Sequence, residues 1–343
     1  MTDHIRYSRQ ILFPPIGEVG QSRLSTSRVA IVGLGALGTS LANHMVRSGV
    51  GWIRLIDRDF VEESNLQRQM LFDEQDAQKS LPKVVAAAEK LQAINSTIQI
   101  ETHIADVNWN NAEELLTGVD LILDGTDNFA IRYLINDVSV KHKIPWIYGG
   151  VVSSRGMSYT IRPGITPCLR CLFPEAPAVG SAETCDTAGV IGPAVHIVTA
   201  YQAAEALKLL VGDTEALDPR LRHFDLWENT QGAIQVNKNP DPDCPTCSHH
   251  NFTYLDPANK ESQAISLCGR NTVQITPMQK GRLNLETFAK RLSQLGTVQQ
   301  NRFLLRAKIE SYQLVLFPDG RILVQGTEDI PTARSIVAKY IGV

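Results

Sequence analysis

The sequence contains no run of about 18 or more apolar residues, so no segment is expected to span a membrane. Its first residues, MTDHIRYSRQ, are polar and lack the apolar core of a signal peptide, which favours a cytoplasmic protein. Lys and Arg number 33 against 36 Asp and Glu, so positive charge is not in excess. A broad basic surface for nucleic acid is therefore not expected.

Cysteine is also scarce, with six residues among 343. That number excludes a disulfide-dense scaffold, and an ordinary composition (43% hydrophobic, 20% charged) excludes collagen and wholesale disorder. Internal repeats and low-complexity tracts are absent. At roughly 150 residues per domain, the length predicts about two domains and leaves room for a third small one.

Strand-like and helix-like segments alternate in the first part of the chain. An apolar run at 28–33 stops at a glycine, apolar residues at helical spacing follow at 36–48, and a second apolar run occupies 52–57. This order is typical of a right-handed parallel β-α-β unit. The alternation continues with strands predicted at 97–104, 119–126 and 145–152 and with helices predicted at 82–95, 110–118 and 128–143. The fold class is therefore α/β, with a Rossmann-like doubly wound sheet.

Antiparallel strands around one long apolar helix at 190–212 are predicted after residue 152. The domain organisation that follows is a first domain at 1–250, with a nucleotide half at 1–152 and a zinc-containing half at 153–250. The polar, proline-containing stretch 251–265 suits a linker. Residues 266–343 predict a small α+β module, with a strand, a helix, two strands around Asp319-Gly320 and a last helix.

A glycine-rich turn lies between the first predicted strand and helix, with Gly33, Gly35 and Gly38 in the spacing G-x-G-x-x-G. Glycines here permit a sharp turn and let the backbone approach a phosphate at the helix N-terminus. Asp57 ends the second strand, where an acid can accept the ribose hydroxyls. The alternative is a tight turn whose glycines serve packing alone. The motif does not choose between NAD and ATP.

A long polar connection at 60–83 follows the second strand and carries Asn65, Arg68 and Lys83. Connections of this length are uncommon and often functional. Nucleotidyl transfer needs cations beside the phosphates, because charge builds on the phosphoryl oxygens and on the departing pyrophosphate, whereas hydride transfer does not. The alternative is that Arg68 and Lys83 are solvated surface charges.

Asp127 and Asn128 follow the fourth predicted strand. The carboxyl ends of strands in such sheets face the ligand, and a carboxylate there suits Mg²⁺ bound to a triphosphate. The alternative is that this pair only caps the next helix.

Four of the cysteines form two Cys-x-x-Cys pairs, Cys168 with Cys171 and Cys244 with Cys247. Four thiolates match tetrahedral Zn²⁺ and leave no open position, so the predicted zinc site is structural. It would join two distant segments, and we call it the zinc clip. The alternative is two unrelated pairs. His249 and His250 are interpreted as exposed turn residues, since four thiols complete the ligand set.

The two remaining cysteines receive different interpretations. Cys185 lies in a small-residue polar loop before the helix predicted at 190–212, and a thiol near a helix N-terminus can become a nucleophile. Its alternative is an inert side chain. Cys268 has no partner cysteine nearby and is interpreted as a core residue of the last module.

Taken together, these motifs resemble the ThiF/MoeB/HesA group of bacterial ubiquitin-activating-like adenylyltransferases. The matching features run in family order from residue 5 to about 250: RYSRQI (6–11), VGLGALG (32–38), LID (55–57), SNLQRQ (64–69), Pro82-Lys83, DGTDN (124–128), both Cys-x-x-Cys pairs and the cysteine of CDTAGV (185–190). Ala36 departs from the glycine of many relatives, and alanine suits that position of the turn.

The resemblance implies adenylation of the C-terminal glycine of a ubiquitin-like sulfur-carrier protein ending in Gly-Gly, with Mg²⁺-ATP as co-substrate and pyrophosphate as product. It implies a homodimer in which Arg9 of one subunit reaches the triphosphate of the other. Cys185 matches a cysteine that joins the carrier during sulfur transfer in ThiF-type members. The implied nucleotide site consists of Gly33, Gly35, Ala36, Gly38, Asp57 (ribose), Ser64, Asn65, Arg68, Lys83 (phosphates), Asp127 (Mg²⁺) and Asn128.

The module after residue 265 lacks a rhodanese active-site loop and is similar to that of longer ThiF-type proteins. This favours the thiazole of thiamine as the pathway, with a cysteine desulfurase as sulfur donor. Alternatives within the family are a MoaD-like carrier for molybdopterin, or another peptide. Outside it, the alternatives are an NAD-dependent oxidoreductase and a non-catalytic scaffold.

Overall fold

The computed structural model describes residues 4–175, 185–237, 239–256, 264–267, 271–276 and 283–342. The chain divides into two compact units, Met1–Asn259 and Lys260–Val343. Each has its own sheet and its own hydrophobic core.

The first unit contains one sheet in the order β3-β2-β1-β4-β5-β6-β7-β8. Its strands are β1 (Arg28–Val32), β2 (Trp52–Asp57), β3 (Gln99–Ile104), β4 (Leu121–Asp124), β5 (Trp146–Val152), β6 (Arg155–Ile161), β7 (Leu221–Asp225) and β8 (Thr230–Ile234). Pairs from β3 to β5 are parallel, and pairs from β5 to β8 are antiparallel. The predicted doubly wound sheet with an antiparallel extension is confirmed.

The helices of this unit that the structure describes are α1 (His4–Ile11), α2 (Gly17–Thr26), α3 (Ala36–Ser48), α4 (Glu74–Gln78), α5 (Lys83–Ile94), α6 (Ala112–Leu116), α7 (Phe129–His142), α8 (Leu169–Leu172), α9 (Cys185–Ala188) and α10 (Gly192–Val211). Helices α3 to α7 connect the parallel strands β1 to β5, as crossover connections require. The helix predicted at 110–118 is one short turn, α6, because Thr117 already has an extended backbone.

Both faces of the parallel sheet are covered, which is why its strands are continuous apolar runs. Leu41 and Met45 of α3 pack on one face, and Tyr133 and Val138 of α7 pack on the other. The long helix α10 lies against α3, β5 and β6. Among the described residues, no helix combines the length and the apolar character that crossing a bilayer requires.

The second unit is an antiparallel sheet in the order β11-β12-β13-β14-β10-β9. Its described elements are β9 (Ala264–Leu267), β10 (Thr272–Ile275), α11 (Leu285–Leu292), β11 (Thr297–Gln300), β12 (Leu305–Ile309), β13 (Tyr312–Leu316), β14 (Ile322–Gln325) and α12 (Ile330–Tyr340). The α+β class is confirmed, but the predicted number of strands was too low. Glu310 has a φ of +54° and turns one apparent long strand at 302–317 into the β12–β13 hairpin.

Candidate functional site

The glycine turn, residues 33–38, joins β1 to α3 and is packed backbone against backbone. Gly33 has a φ of +84°, and a Cβ on Gly38 would lie 1.8 Å from the carbonyl oxygen of Gly33. A Cβ on Gly125, just after β4, would lie 2.4 Å from the same oxygen. Packing therefore explains Gly33 and Gly38 without any ligand.

Gly35 is different, because its α-carbon faces open space. The nearest atom to a Cβ built on it is Nε2 of Gln69, at 4.0 Å. Gly35 is also the N-cap of α3, and no side chain caps that helix. The first N–H groups of a helix lack partners within it and favour an anion. Gly35 and Ala36, the first residue of α3, therefore border a space suited to a phosphate.

Asp57 ends β2 directly beside this turn. Its Oδ2 accepts a hydrogen bond from the Leu34 N–H at 2.5 Å, and its Oδ1 accepts one from the Asp59 N–H at 2.7 Å. Burial raises the pKa of Asp57, while the charge of Lys83 and both N–H donors oppose that shift. Each oxygen keeps a further lone pair, so the carboxylate is oriented at the turn and can still accept a hydroxyl.

Lys83 is buried, with only 5% of its surface exposed, so the interpretation as a solvated charge is wrong. It begins α5, where its N–H donates to the Asp59 carbonyl oxygen at 2.9 Å. Its Nζ lies 3.6 Å from Asp59 Oδ2. Its charge also acts on Asp57, so the ammonium is near two carboxylates, and its three donors leave capacity for a further anion.

The polar connection 60–83 folds back over the turn. Asn65 is buried in the 3-10 turn Glu63–Asn65, where its Oδ1 accepts from the Glu62 N–H. Arg68 is half-buried and donates to the Ser64 carbonyl oxygen at 3.0 Å. Asn65 thus shapes the loop, whereas Arg68 has donors beyond that single bond. Ser64 itself is exposed.

Gln69 is a residue that the sequence reasoning missed. It is 3% exposed, and its Oε1 is buried without a hydrogen-bond partner. Its amide is the group that borders the open side of Gly35. The sequence offered no local signal for it, since Gln67, on the other side of Arg68, is exposed.

Asp127 and Asn128, which follow β4, have different environments. Asn128 Oδ1 accepts from the Ala130 and Ile131 N–H groups and caps α7. Asp127 is exposed at the carboxyl edge of the sheet. Capping is therefore carried by Asn128, and the carboxylate of Asp127 suits a hard cation such as Mg²⁺.

A buried ion pair supports this loop and was also missed. Asp124 and Arg132 are 0% and 4% exposed, with Arg132 Nε 2.9 Å from Asp124 Oδ2. Arg132 Nη2 donates to the carbonyl oxygens of Thr126 and Gly149. Although burial lowers the pKa of Arg132, the charges of Asp124 and Asp127 are among the causes that raise it overall. An arginine among the apolar and aromatic residues of 129–135 was the available signal.

Arg9 does not join these residues within one chain. Its helix α1 packs at the C-terminal end of α3, where Gln10 donates to the Ser48 carbonyl oxygen and Tyr7 contacts Gly49. The glycine turn lies at the other end of α3, and a helix of 13 residues spans about 20 Å. That distance exceeds the reach of an arginine side chain.

The four cysteines of the zinc clip converge, as predicted. Their sulfurs lie within 4.8 Å of one another, and three pairs are 3.4–3.8 Å apart. Tetrahedral zinc with Zn–S bonds of about 2.3 Å requires sulfurs about 3.8 Å apart. Hydrogen bonds between the thiols lower the pKa of Cys171 and raise that of Cys168. The donor set and spacing fit Zn²⁺, and His249 and His250 are exposed outside it.

Helix α7 holds both halves of the zinc clip. Asn136 Oδ1 accepts from the Leu169 N–H, between the first two cysteines, and Asp137 accepts from the Thr246 hydroxyl, between the other two. Asp137 also accepts from the Tyr254 N–H, and burial raises its pKa to about 6. The helix that begins beside Asp127 thus extends to the metal site.

The remaining cysteines stay untested. Cys185 is the first residue of the one-turn helix α9, seven residues before α10 begins, and its side chain lies outside the described residues. Cys268 also lies outside the described residues.

The site therefore combines an uncapped helix N-terminus, a carboxylate that can accept hydroxyls, two cations and an exposed carboxylate. These are the groups that a nucleoside triphosphate with a divalent cation requires.

Comparisons with known proteins agree with this chemistry. The model of the ThiF family matches residues 7–246. The chain is 45% identical over 338 residues to the sulfur carrier protein ThiS adenylyltransferase of Bacillus subtilis, covering 98% of this chain and 99% of that protein. It is 37% identical over 247 residues to the sulfur carrier protein adenylyltransferase of Thermus thermophilus, covering 71% and 90% respectively.

A solved structure extends the likeness to three dimensions. The crystal structure of E. coli MccB with MccA-N7isoASN is 25% identical and superimposes with a TM-score of 0.63, covering 71% of this chain and 74% of that chain.

Proposed function

Because this chain belongs to the ThiF family, we propose that it is a nucleotidyltransferase that adenylates the C-terminal glycine of a ubiquitin-like sulfur-carrier protein. ATP is the second substrate and pyrophosphate leaves. The Bacillus subtilis relative, which aligns over 338 residues, is named for this activity on ThiS.

The observation that carries the proposal is the buried Lys83 beside an open glycine turn. Lys83 is 5% exposed, lies 3.6 Å from the Asp59 carboxylate and interacts with the charge of Asp57, and the three donors of its ammonium leave capacity for a phosphate. The open α-carbon of Gly35 and the orphaned amide of Gln69 provide the space for that anion. A hydride-transfer site has no need for Lys83 and Arg68 together.

The chemistry follows from charge. The carrier carboxylate is ionised at neutral pH and attacks the α-phosphorus of ATP; the bond to the bridging oxygen breaks and pyrophosphate departs with the electron pair. No general base is required, so catalysis consists of positioning and charge neutralisation. Asp57 holds the ribose, and Asn65, Arg68 and Lys83 hold the phosphates. Ser64 and Asn128 complete the nucleotide site.

Asp127 is the proposed Mg²⁺ ligand, since it is exposed at the carboxyl edge of β4 while Asn128 makes the helix cap. When bound, Mg²⁺ supplies charge neutralisation at the phosphates. Zn²⁺ has a structural role in the zinc clip, because four thiolates leave no open position.

We assign residues 1–250 to adenylation, 251–265 to a linker and 266–343 to an accessory module. The proposed assembly is a homodimer in which Arg9 contacts the phosphates bound by the partner subunit. It is supported by the distance from Arg9 to its own glycine turn and by nearby exposed apolar residues, namely Ile5, Leu12, Phe13 and Val19.

The proposed pathway is sulfur incorporation into the thiazole of thiamine, with a ThiS-like carrier, and a MoaD-like carrier is the alternative. Cys185 is the proposed point at which the carrier becomes covalently attached, and a cysteine desulfurase is the proposed sulfur donor. The cytoplasm is the proposed location.

ATP–pyrophosphate exchange with a panel of carriers ending in Gly-Gly tests this function. We expect exchange with a ThiS-like carrier and at least roughly a 10²-fold loss in Arg68→Ala, which removes a phosphate-binding cation. Arg47→Ala is the matched control, because Arg47 is exposed on α3 and bonds only Asn43 in its own helix.

Two results would reject the proposal. If Arg68→Ala exchanges pyrophosphate at the wild-type rate, Arg68 does not bind the phosphates as proposed. No exchange with any carrier favours a scaffold, or an oxidoreductase if NADH fluorescence changes on binding.

A further inference from the structure

Gln69 is held rigidly at the end of the loop that covers the glycine turn. Its N–H donates to the Asn65 carbonyl oxygen at 3.0 Å, and its own carbonyl oxygen accepts from the Phe72 N–H at 3.1 Å. The backbone is therefore fixed on both sides, and the side chain is 3% exposed. Its direction is a property of the fold.

The buried amide is left incomplete by the protein. Oε1 has no hydrogen-bond partner among the described residues, and a buried acceptor without a donor carries the full cost of its lost hydration. Several other buried side-chain atoms of the described residues share this property, so the position of the amide beside Gly35 carries the argument. One explanation is that a bound ligand donates a hydrogen bond to Oε1.

Among the three glycines of the turn, the amide borders the one whose Cβ direction the described residues leave open. Gly33 and Gly38 are closed by backbone atoms, whereas the nearest neighbour of Gly35 in the Cβ direction is Nε2 of Gln69, at 4.0 Å. That space lies at the N-terminus of α3, a helix of 13 residues without a side-chain cap. The helix N-terminus and Nε2 of Gln69 thus border the same space, and Oε1, the unpaired atom, belongs to the same amide.

We propose that Gln69 is a nucleotide-binding residue whose side-chain amide hydrogen-bonds ATP directly at the N-terminus of α3. The amide has a donor, Nε2, and an acceptor, Oε1, and ATP presents both complements in its phosphate oxygens and ribose hydroxyls. This assignment rests on the proposed function, since it takes ATP as the ligand. It adds a neutral contact to the charged contacts of Arg68 and Lys83.

A direct ligand role and a structural role have opposite signatures. If Gln69 serves the ligand, replacing its amide with an apolar group of similar size removes an unpaired acceptor, so the free protein is not destabilised while ATP binds more weakly. If Gln69 serves the fold, the same change lowers the stability of the free protein. The two quantities can be measured on one preparation.

The test compares Gln69→Leu and Gln69→Glu with the wild-type full-length protein. The readouts are thermal unfolding without nucleotide and the Kd for ATP by calorimetry in the absence of carrier. We expect Gln69→Leu to unfold at or above the wild-type temperature and to bind ATP roughly tenfold more weakly, as for one lost hydrogen bond to a charged group. Gln69→Glu should bind more weakly still, because its carboxylate faces the phosphates.

Gln78→Leu is the matched control, since the same change is made at an exposed position of the same connection. It should leave the Kd unchanged. An ATP affinity in Gln69→Leu within twofold of wild type overturns the inference, and so does a lowered unfolding temperature with normal affinity. If the wild-type protein itself binds no ATP, the proposed function fails as well, so the two failures are distinguishable.

Discussion

Arg132 and Asp124 form a buried ion pair beneath the loop that carries Asp127. The guanidinium contacts the carboxylate at 2.9 Å and spans to the carbonyl oxygens of Thr126 and Gly149. One side chain thus joins the end of β4, the following loop and the middle of β5. The position of the proposed Mg²⁺ ligand depends on this pair.

Removing the arginine should be costly, because it leaves Asp124 charged and buried. We expect Arg132→Met to lose about 3–5 kcal/mol of unfolding free energy. Arg132→Lys should lose less, since it keeps the charge but not the fork of donors. Urea denaturation measures both, and exposed Arg47→Met serves as a control with a change within about 0.5 kcal/mol. A loss below about 1 kcal/mol in Arg132→Met would show that the pair does not support the loop.

Gly35 and Gly38 should respond differently to alanine, although they are three residues apart. Gly38→Ala places a methyl group 1.8 Å from the Gly33 oxygen and should prevent native folding of the turn. Gly35→Ala should destabilise the fold far less than Gly38→Ala, because a Cβ on Gly35 would meet no described atom nearer than Gln69 Nε2 at 4.0 Å, although its backbone (φ −78°, ψ −148°) lies outside the regular regions. It should weaken ATP binding, since the methyl group occupies the proposed ligand space. Circular dichroism and calorimetry together test the contrast; equal effects of both changes would contradict it.

The zinc clip should bind about one zinc per chain and release it only when the protein unfolds. Elemental analysis of purified protein gives the content, and a chromogenic chelator follows release during denaturation. Cys244→Ser should lose the metal and a large part of the stability, because a structural site contributes binding energy to folding. His249→Ala, next to the cluster, should keep both. Protein without zinc would refute the site.

Asp137 should make stability depend on pH in a direction opposite to that of most carboxylates. Its folded pKa of about 6 exceeds the ordinary value of 3.8, so the folded state holds the proton more tightly. Its contribution is therefore present at low pH and is lost as pH rises through 6. Asn cannot ionise, and its amide can satisfy both Thr246 and the Tyr254 N–H.

Asp137→Asn should consequently gain stability relative to wild type between about pH 5 and pH 7, by roughly 1–1.5 kcal/mol. Urea unfolding of zinc-loaded protein at several pH values measures the difference. Asp243→Asn, at an exposed position, is the matched control for the loss of one carboxylate. A stability difference for Asp137→Asn that does not change with pH would exclude a raised pKa.

The alternation of strands β1 to β5 with helices α3, α5, α6 and α7 could be predicted from the sequence alone, whereas α1, α2 and α4 were not predicted. Apolar runs of strand length alternate with helical spacing, and a glycine or proline marks many ends, as at Gly49 after α3 and Pro82 before α5. These signals are local, because a turn or a cap involves residues close in the chain. The zinc ligands could also be predicted from the sequence, since each Cys-x-x-Cys pair places two metal-binding side chains at short spacing.

Only the tertiary structure decided which polar residues are buried and what they contact. Nothing local distinguishes Lys83 from a surface lysine, or Gln69 from its exposed neighbour Gln67. Their burial depends on a 24-residue connection at 60–83 that folds back onto the turn. The partners of Arg132 and Asp137 come from segments up to 117 residues away.

The physical reason is that the pattern of apolar residues shows whether one segment favours a helix or a strand. Burial and hydrogen bonding depend instead on which segments pack against each other. The sequence by itself determined the chemical groups and the edge of the sheet at which they gather. The fold determined that Gly35 is open while Gly38 is closed, and that Arg9 lies at the far end of α3 from its own glycine turn. Such relationships arise only when the chain is packed.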